Sequence, residues 1–225
     1  MRILLLAATP FEIAPTTNWL LEGFQKSDTG VFTKEKLEIL PLISGVGMVA
    51  TTWSLCSILY RNRPDLVINA GIAGALDPSL QLGDVVFVGS ERFADLGVEE
   101  ADGRFTDLYE MDMMGHLPDW CKKGLLIHPD ADKTSFLPVK NGITVNKVHG
   151  AQASIDQIRI KYPDAQVESM EGAAVFYACL SSGTPFMELR SISNEVAPRS
   201  RDAWNLPLAI ESLNRVLVEM LQSFQ

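Results

Sequence analysis

Residues 3–12 read Ile3-Leu4-Leu5-Leu6-Ala7-Ala8-Thr9-Pro10-Phe11-Glu12, and the break inside this stretch decides the fold class. An unbroken run of apolar side chains leaves a strand no polar face, so both of its faces must be covered. That pattern belongs to a mostly parallel sheet with helices on either side. Thr9 and Pro10 end the run, and proline suits the first turn of a helix. The alternation then repeats. Strands are expected over 3–8, 37–43, 66–69, 84–88, 143–145 and 186–192, and helices near 12–24, 46–61, 151–161, 171–182 and 203–224. The class is α/β. In such folds ligands gather at the carboxyl ends of the strands, which makes those ends the place to look for chemistry.

The 225 residues are 47% apolar and 21% charged, the balance of a globular chain rather than of a disordered one or a coiled coil. Surface scaling lets about 72% of the unfolded chain's surface leave water in one domain. With no linker-like stretch and no internal repeat, residues 1–225 read as a single domain. Nineteen basic against 28 acidic side chains give a net charge of -9, a poor footprint for nucleic acid or anionic lipid. Neither partner is expected. The C-terminal stretch 206–224 is long enough to span a bilayer. However, Glu211, Arg215 and Glu219 fall on one side and Leu206, Ile210, Leu213, Leu217, Met220 and Phe224 on the other, as in a packed amphipathic helix.

Cys56, Cys121 and Cys179 are widely spaced and odd in number, which suits a reducing cytoplasm. His116, His128 and His149 form no metal-ligand spacing, so no metal is expected. Residues 95–142, with scattered Gly, Asp and Pro, read as a loop-rich flap or an oligomer contact.

Gly45-Val46-Gly47-Met48-Val49-Ala50 matches the dinucleotide fingerprint GxGxxA between a strand and a helix. The match lacks its acidic partner: the next strand ends Asn69-Ala70-Gly71-Ile72, with no carboxylate for a ribose hydroxyl. A nicotinamide cofactor is therefore not expected, and the glycines read as a tight turn or a ligand-facing one. Gly71-Ile72-Ala73-Gly74 reads equally as a structural turn or as backbone open to a flat ligand.

Glu171 opens the otherwise apolar helix Gly172-Ala173-Ala174-Val175-Phe176. Alone, it is most simply a solvated acid favoured by the helix dipole; the alternative is a carboxylate held to accept two hydroxyls of a diol. Glu12 has the same plain reading. Because first and last strands often lie close in α/β sheets, Glu12, Glu171 and Asn194 can meet in one cleft, and three polar strand ends make a site.

Taken together, these residues look like a known family. Glu12 after the first strand, Ser44-Gly45-Val46-Gly47, Gly71-Ile72-Ala73-Gly74-Ala75 with Leu82-Gly83-Asp84-Val85-Val86, Met170-Glu171-Gly172-Ala173-Ala174 and Arg190-Ser191-Ile192-Ser193-Asn194 resemble the nucleoside phosphorylase and nucleosidase superfamily. Asp95-Leu96-Gly97, Thr144 through Gly150, and Ser193-Asn194 through Arg199, Arg201 and Trp204 are similar to its futalosine hydrolase branch. The resemblance implies a three-layer α/β/α sandwich with a mostly parallel mixed sheet, homo-oligomeric, cleaving the N-glycosidic bond of a small-molecule nucleoside. By the same resemblance Glu12 activates the attacking water, Met170 and Glu171 hold the ribose, Ala73 and Gly74 lie beside sugar and base, and Ser193-Asn194 face the purine. Val148 stands where adenine-cleaving members carry a stacking aromatic, a departure from their pattern. Arg199 and Arg201 are candidates for the aromatic carboxylate that futalosine carries beyond its ribose.

The chemistry asks for the same parts. Cleaving an N-riboside builds positive charge on the sugar and negative charge on the base, so it needs a carboxylate at the water, hydroxyl anchors and a donor at the purine. Adenine-cleaving members carry aspartate at position 194. Asn194 offers an amide N–H to N7 or O6 instead, which favours a 6-oxopurine. The loop 7–12 holds no basic side chain for a phosphate, so hydrolysis is favoured over phosphorolysis. Futalosine hydrolysis leads. Methylthioadenosine/adenosylhomocysteine nucleosidase, purine nucleoside phosphorylase and a non-catalytic nucleoside-binding protein are the alternatives.

Overall fold

The computed structural model describes residues 1–114, 120–134, 136–200 and 203–225. His116 and Arg201 fall outside the described residues. Seven strands build the core: β1 (Arg2–Ala7), β2 (Leu37–Ile43), β3 (Leu66–Ala75), β4 (Val85–Glu91), β5 (Val139–Thr144), β6 (Val167–Ser169) and β7 (Phe186–Glu195). The main helices are α1 (Ala14–Gly23), α2 (Met48–Arg61), α3 (Gln152–Lys161), α4 (Gly172–Ser182) and α5 (Leu206–Ser223). The sheet is mixed and mostly parallel, as expected.

β1 confirms why its sequence has no polar face. Ile3, Leu5 and Ala7 enter the core that contains Leu213 and Leu217 of α5. Leu4 and Leu6 enter the opposite core with Leu55 of α2 and Val175 and Phe176 of α4. All five side chains from Ile3 to Ala7 are buried, each leucine or isoleucine contributing about 1.5–3 kcal/mol. α5 is amphipathic as its pattern predicts: Ala209, Leu213, Leu217, Met220 and Leu221 are buried while Glu211, Arg215 and Glu219 are exposed. Among the described residues no helix is long and apolar enough to cross a membrane.

β3 organises the rest. Its first half pairs in parallel with β1, from Ile3–Leu66 to Leu6–Asn69. Its far end pairs antiparallel with β6, and along its whole length it runs parallel to β7. β7 pairs antiparallel with β4, β4 parallel with β5, and β5 parallel with β6. The five strands β3, β7, β4, β5 and β6 thus close into a ring beside the open β1–β2 wing.

That closure corrects two expectations. Gly71-Ile72-Ala73-Gly74 is not a turn after β3 but its continuation, and Ser193-Asn194 lies within β7, at a register shift between Ile192 and Asn194. The expected helix near 203 begins at Leu206, because Asn205 caps it by accepting the Leu208 N–H at 3.2 Å and Pro207 sits in its first turn. The described residues of 95–142 include regular strands. They hold the pair Gly97–Glu99 and Phe105–Asp107, the strand Leu125–Ile127 joined antiparallel to β4, and the start of β5.

Candidate active site

The strand ends converge on a cavity of about 230 Å³ lined by Phe11, Glu12, Ile72, Ala73, Gly74, Val148, His149, Glu168, Met170, Glu171, Ser193, Asn194 and Trp204, among others. Eight sequence candidates, Glu12, Ala73, Gly74, Val148, Met170, Glu171, Ser193 and Asn194, therefore share one wall. Arg199 does not line it. Its guanidinium instead lies 5.8 Å from the ring of Trp204, which does. None of the described residues of 95–142 lines it either.

Glu12 is buried at the mouth of β1. Pro10 to Ile13 form a short 3-10 turn before α1, and this brings the carboxylate back over the strand end. Its Oε2 accepts the Thr9 N–H at 2.8 Å and the Thr9 hydroxyl at 2.7 Å, and its Oε1 accepts the Ile72 N–H at 3.2 Å. The carboxylate is fixed by three donors, two from Thr9 just after β1 and one from Ile72 within β3.

Glu171 is not the solvated acid that its position alone suggests; only 5% of it is exposed. The Gly47 N–H donates to its Oε1 at 3.0 Å. Gly47 has φ of 90°, a backbone that side-chain-bearing residues rarely adopt. The GxGxxA turn thus serves a carboxylate of its own chain. Burial pushes the Glu171 carboxyl above its ordinary range, while Arg190 and the Gly47 N–H work in the opposite direction.

Beneath this floor lies a charge cluster that sequence reading missed. Arg190, 1% exposed, donates from Nε to Glu188 Oε1 at 2.8 Å and approaches Glu171 Oε2 at 3.8 Å. Glu188 and Glu91 are fully buried. A Cβ on Gly172 would lie 2.2 Å from Glu91 Oε1 and 2.6 Å from Glu188 Oε1, so the two carboxyls face each other across that glycine. Glu91 Oε2 accepts the Thr144 hydroxyl at 2.8 Å, and Thr144 Oγ1 accepts the Ala173 N–H at 2.7 Å, tying the pair to the start of α4. The signal available in sequence was weak: two acids and an arginine inside apolar strands.

Burial, and then the charge of Glu188, hold Glu91 well above the carboxylate range. Folded Glu91 keeps its proton where the unfolded chain has lost its own. Its contribution to stability is therefore intact below the ordinary carboxylate pKa and falls as pH rises through the folded value. Glu91→Gln keeps an acceptor for Thr144 and removes the titration. We expect melting temperatures that decline less between about pH 5 and pH 8 than those of the parent. An unchanged decline, measured calorimetrically, would show that Glu91 is ionised in the fold.

Ser193 Oγ donates to Asn194 Oδ1 at 2.9 Å, and Asn194 Nδ2 donates to the Glu195 carbonyl at 2.9 Å. The amide is thereby oriented, with one N–H left for a ligand. Gly74 makes room for it: a Cβ there would lie 3.2 Å from Asn194 Nδ2 and 2.8 Å from Val196 Cγ2. Among the described residues no cluster of three or more His, Cys, Asp or Glu is placed to hold a metal ion.

A five-strand ring with an open wing and carboxylates at its strand ends defines a class, and comparison with known proteins agrees with it. Residues 2–222 match the Phosphorylase superfamily, and the chain belongs to it. It is an enzyme of N-glycosyl hydrolase type. A futalosine hydrolase of Streptomyces coelicolor is 36% identical over 179 residues, covering 76% of this chain and 74% of that protein. A 5'-methylthioadenosine/S-adenosylhomocysteine nucleosidase of Marinomonas sp. is 27% identical over 233 residues, covering 97% of each. The native structure of a Helicobacter pylori futalosine hydrolase shares the fold, with a TM-score of 0.79 at 19% identity over 99% of this chain and 98% of that one.

Proposed function

We propose that this chain hydrolyses futalosine to hypoxanthine and dehypoxanthinyl futalosine, a step of the alternative menaquinone pathway. The observation that carries the reading is Asn194, an amide oriented by Ser193 against the gap at Gly74. The relative from Streptomyces coelicolor supports it. In this reading residues 1–225 act as one catalytic domain in a cytoplasmic homo-oligomer, and the chemistry needs no cofactor.

Glu12 takes the proton of the attacking water. Its three hydrogen bonds hold the accepting oxygens in place before substrate arrives, so little reorganisation is left to the reaction. Glu171, with Met170 beside it, receives the ribose hydroxyls. Ala73 and Gly74 leave a flat strand face for sugar and base, and Val148 gives an apolar wall where an aromatic is not required. As charge develops on the purine, the free amide N–H of Asn194 meets N7 or O6. Arg199, stacked on Trp204, and Arg201 are the candidate contacts for the carboxylate of futalosine.

Base choice follows from position 194. Asn194→Asp would set an acceptor against O6 and a partner for the adenine amino group, so the ratio of kcat/KM for inosine over adenosine should fall by about 10-fold or more. Rates of free-base release on the two nucleosides measure it; an unchanged ratio sinks this role. The second reading, methylthioadenosine/adenosylhomocysteine nucleosidase, is favoured by the Marinomonas relative, which matches along the full chain. It requires adenine to be the better leaving group here.

A further inference from the structure

The hydrolase reading leaves one proton unassigned. A purine that departs with the electron pair of its C1′–N9 bond must be protonated, and the amide of Asn194 donates a hydrogen bond without giving up a proton. Gly74 pairs with Asn194 of β7 on one side and with Glu168 of β6 on the other. In-register neighbours on adjacent strands project to the same face, and two strand spacings put their backbones about 10 Å apart. A Cβ on Gly74 would lie 3.2 Å from Asn194 Nδ2, so the glycine lets that amide pack against β3, and Gly74 lines the cavity together with Glu168 and Asn194.

Glu168 is 4% exposed, and among the described residues its carboxylate is bound by His149 alone. It accepts the backbone N–H of His149 at 2.9 Å and also contacts His149 Nδ1. One contact holds the His149 backbone and the other its ring at Nδ1, so the imidazole is oriented and Nε2 is the ring nitrogen left for a ligand. His149, Glu168 and Asn194 all line the cavity. Its other carboxylates are committed elsewhere: Glu12 to Thr9 and Ile72, Glu171 to Gly47 and toward Arg190.

We propose that His149, gripped by Glu168 across Gly74 from Asn194, is the general acid that protonates the departing purine. The proposal rests on the nucleoside hydrolase reading above. Water bonds to C1′ as its proton passes to Glu12, and the C1′–N9 pair leaves with the base. The Nε2 proton of the imidazolium goes to N7, and hypoxanthine departs neutral. Solvent then reprotonates His149 and removes the proton from Glu12, so the cycle closes without a co-reactant. Asn194 holds the base while His149 supplies the proton.

The test varies the leaving group. Inosine and futalosine release a purine that needs a proton; 4-nitrophenyl riboside releases a phenolate that does not. For His149→Gln, kcat on both nucleosides should fall by about 10²-fold or more, with kcat on 4-nitrophenyl riboside unchanged. Glu168→Gln, which keeps a carbonyl acceptor for His149, should show the same split at smaller size. Equal losses on all three substrates in both variants would overturn the assignment and leave the hydrolase reading standing. So would unchanged nucleoside turnover in His149→Gln. Absence of base release from inosine and futalosine by the unsubstituted protein would overturn the hydrolase reading, and this assignment with it.

Discussion

Glu12→Gln is expected to lower kcat for hypoxanthine release by about 10²- to 10⁴-fold while substrate binding survives in part. The carboxylate bridges the end of β1 and the body of β3, bound by Thr9 through one oxygen and by the Ile72 N–H through the other. Glutamine keeps the volume and one acceptor, but its amide nitrogen must face one of those donors. The local cost is about 1–3 kcal/mol, small enough for the protein to fold, and the ribose and purine contacts remain. The substituted protein therefore loses the proton acceptor without losing the pocket. Single-turnover rates with futalosine, alongside calorimetric titration of the same variant, separate the two effects. Full activity in a folded Glu12→Gln protein would remove this residue from the chemistry. Loss of binding equal to the loss of rate would make it a substrate contact only.

Arg190→Met should destabilise the fold by about 3–5 kcal/mol, because it strands buried carboxylates without their cation. Arg190 is the partner of Glu188 and lies beside Glu171. For a chain of this size the melting temperature should drop by about 10 °C. Replacing Glu188 with leucine in the same protein removes the more deeply buried of the two stranded charges and should recover part of the loss. Circular dichroism melts of the single and double variants measure the coupling directly. Additive losses in the double variant would show that the ion pair contributes little. Because Glu171 borders the cavity, the single variant should also bind nucleoside more weakly.

The legible part of the fold lay in strands whose environment is uniform. β1 and the start of β3 are covered on both faces over their whole run, so composition alone marks them. The illegible part lay where one strand changes neighbours. β3 leaves β1 at Asn69 and meets β6 near Gly74, and the small residues that permit this exchange look like a turn in one dimension. β6 itself, Val167-Glu168-Ser169, is too short and too polar to announce a strand, yet it closes the ring.

The site divides in the same way. Glu12, Glu171 and Asn194 stand at strand ends, where position suggests a role. Arg190, Glu188 and Glu91 lie inside strands, and the reason for their polarity exists only once the ring brings them together. In the sequence His149 has no metal-ligand spacing and belongs to the Thr144–Gly150 stretch that carries the family resemblance. Its partner Glu168 lies 19 residues away, and neither shows its purpose until Gly74 sets Glu168 opposite Asn194. Trp204 precedes α5 instead of opening it and lines the cavity.

The central claim is that this chain releases hypoxanthine from futalosine with water as the acceptor. The direct measurement incubates the purified protein with futalosine, inosine and methylthioadenosine, with and without phosphate, and quantifies the free base by chromatography. The account predicts hypoxanthine from futalosine at the highest kcat/KM, the same rate with and without phosphate, and little adenine from methylthioadenosine. Adenine release that outpaces hypoxanthine release, or cleavage that occurs only with phosphate, would contradict it.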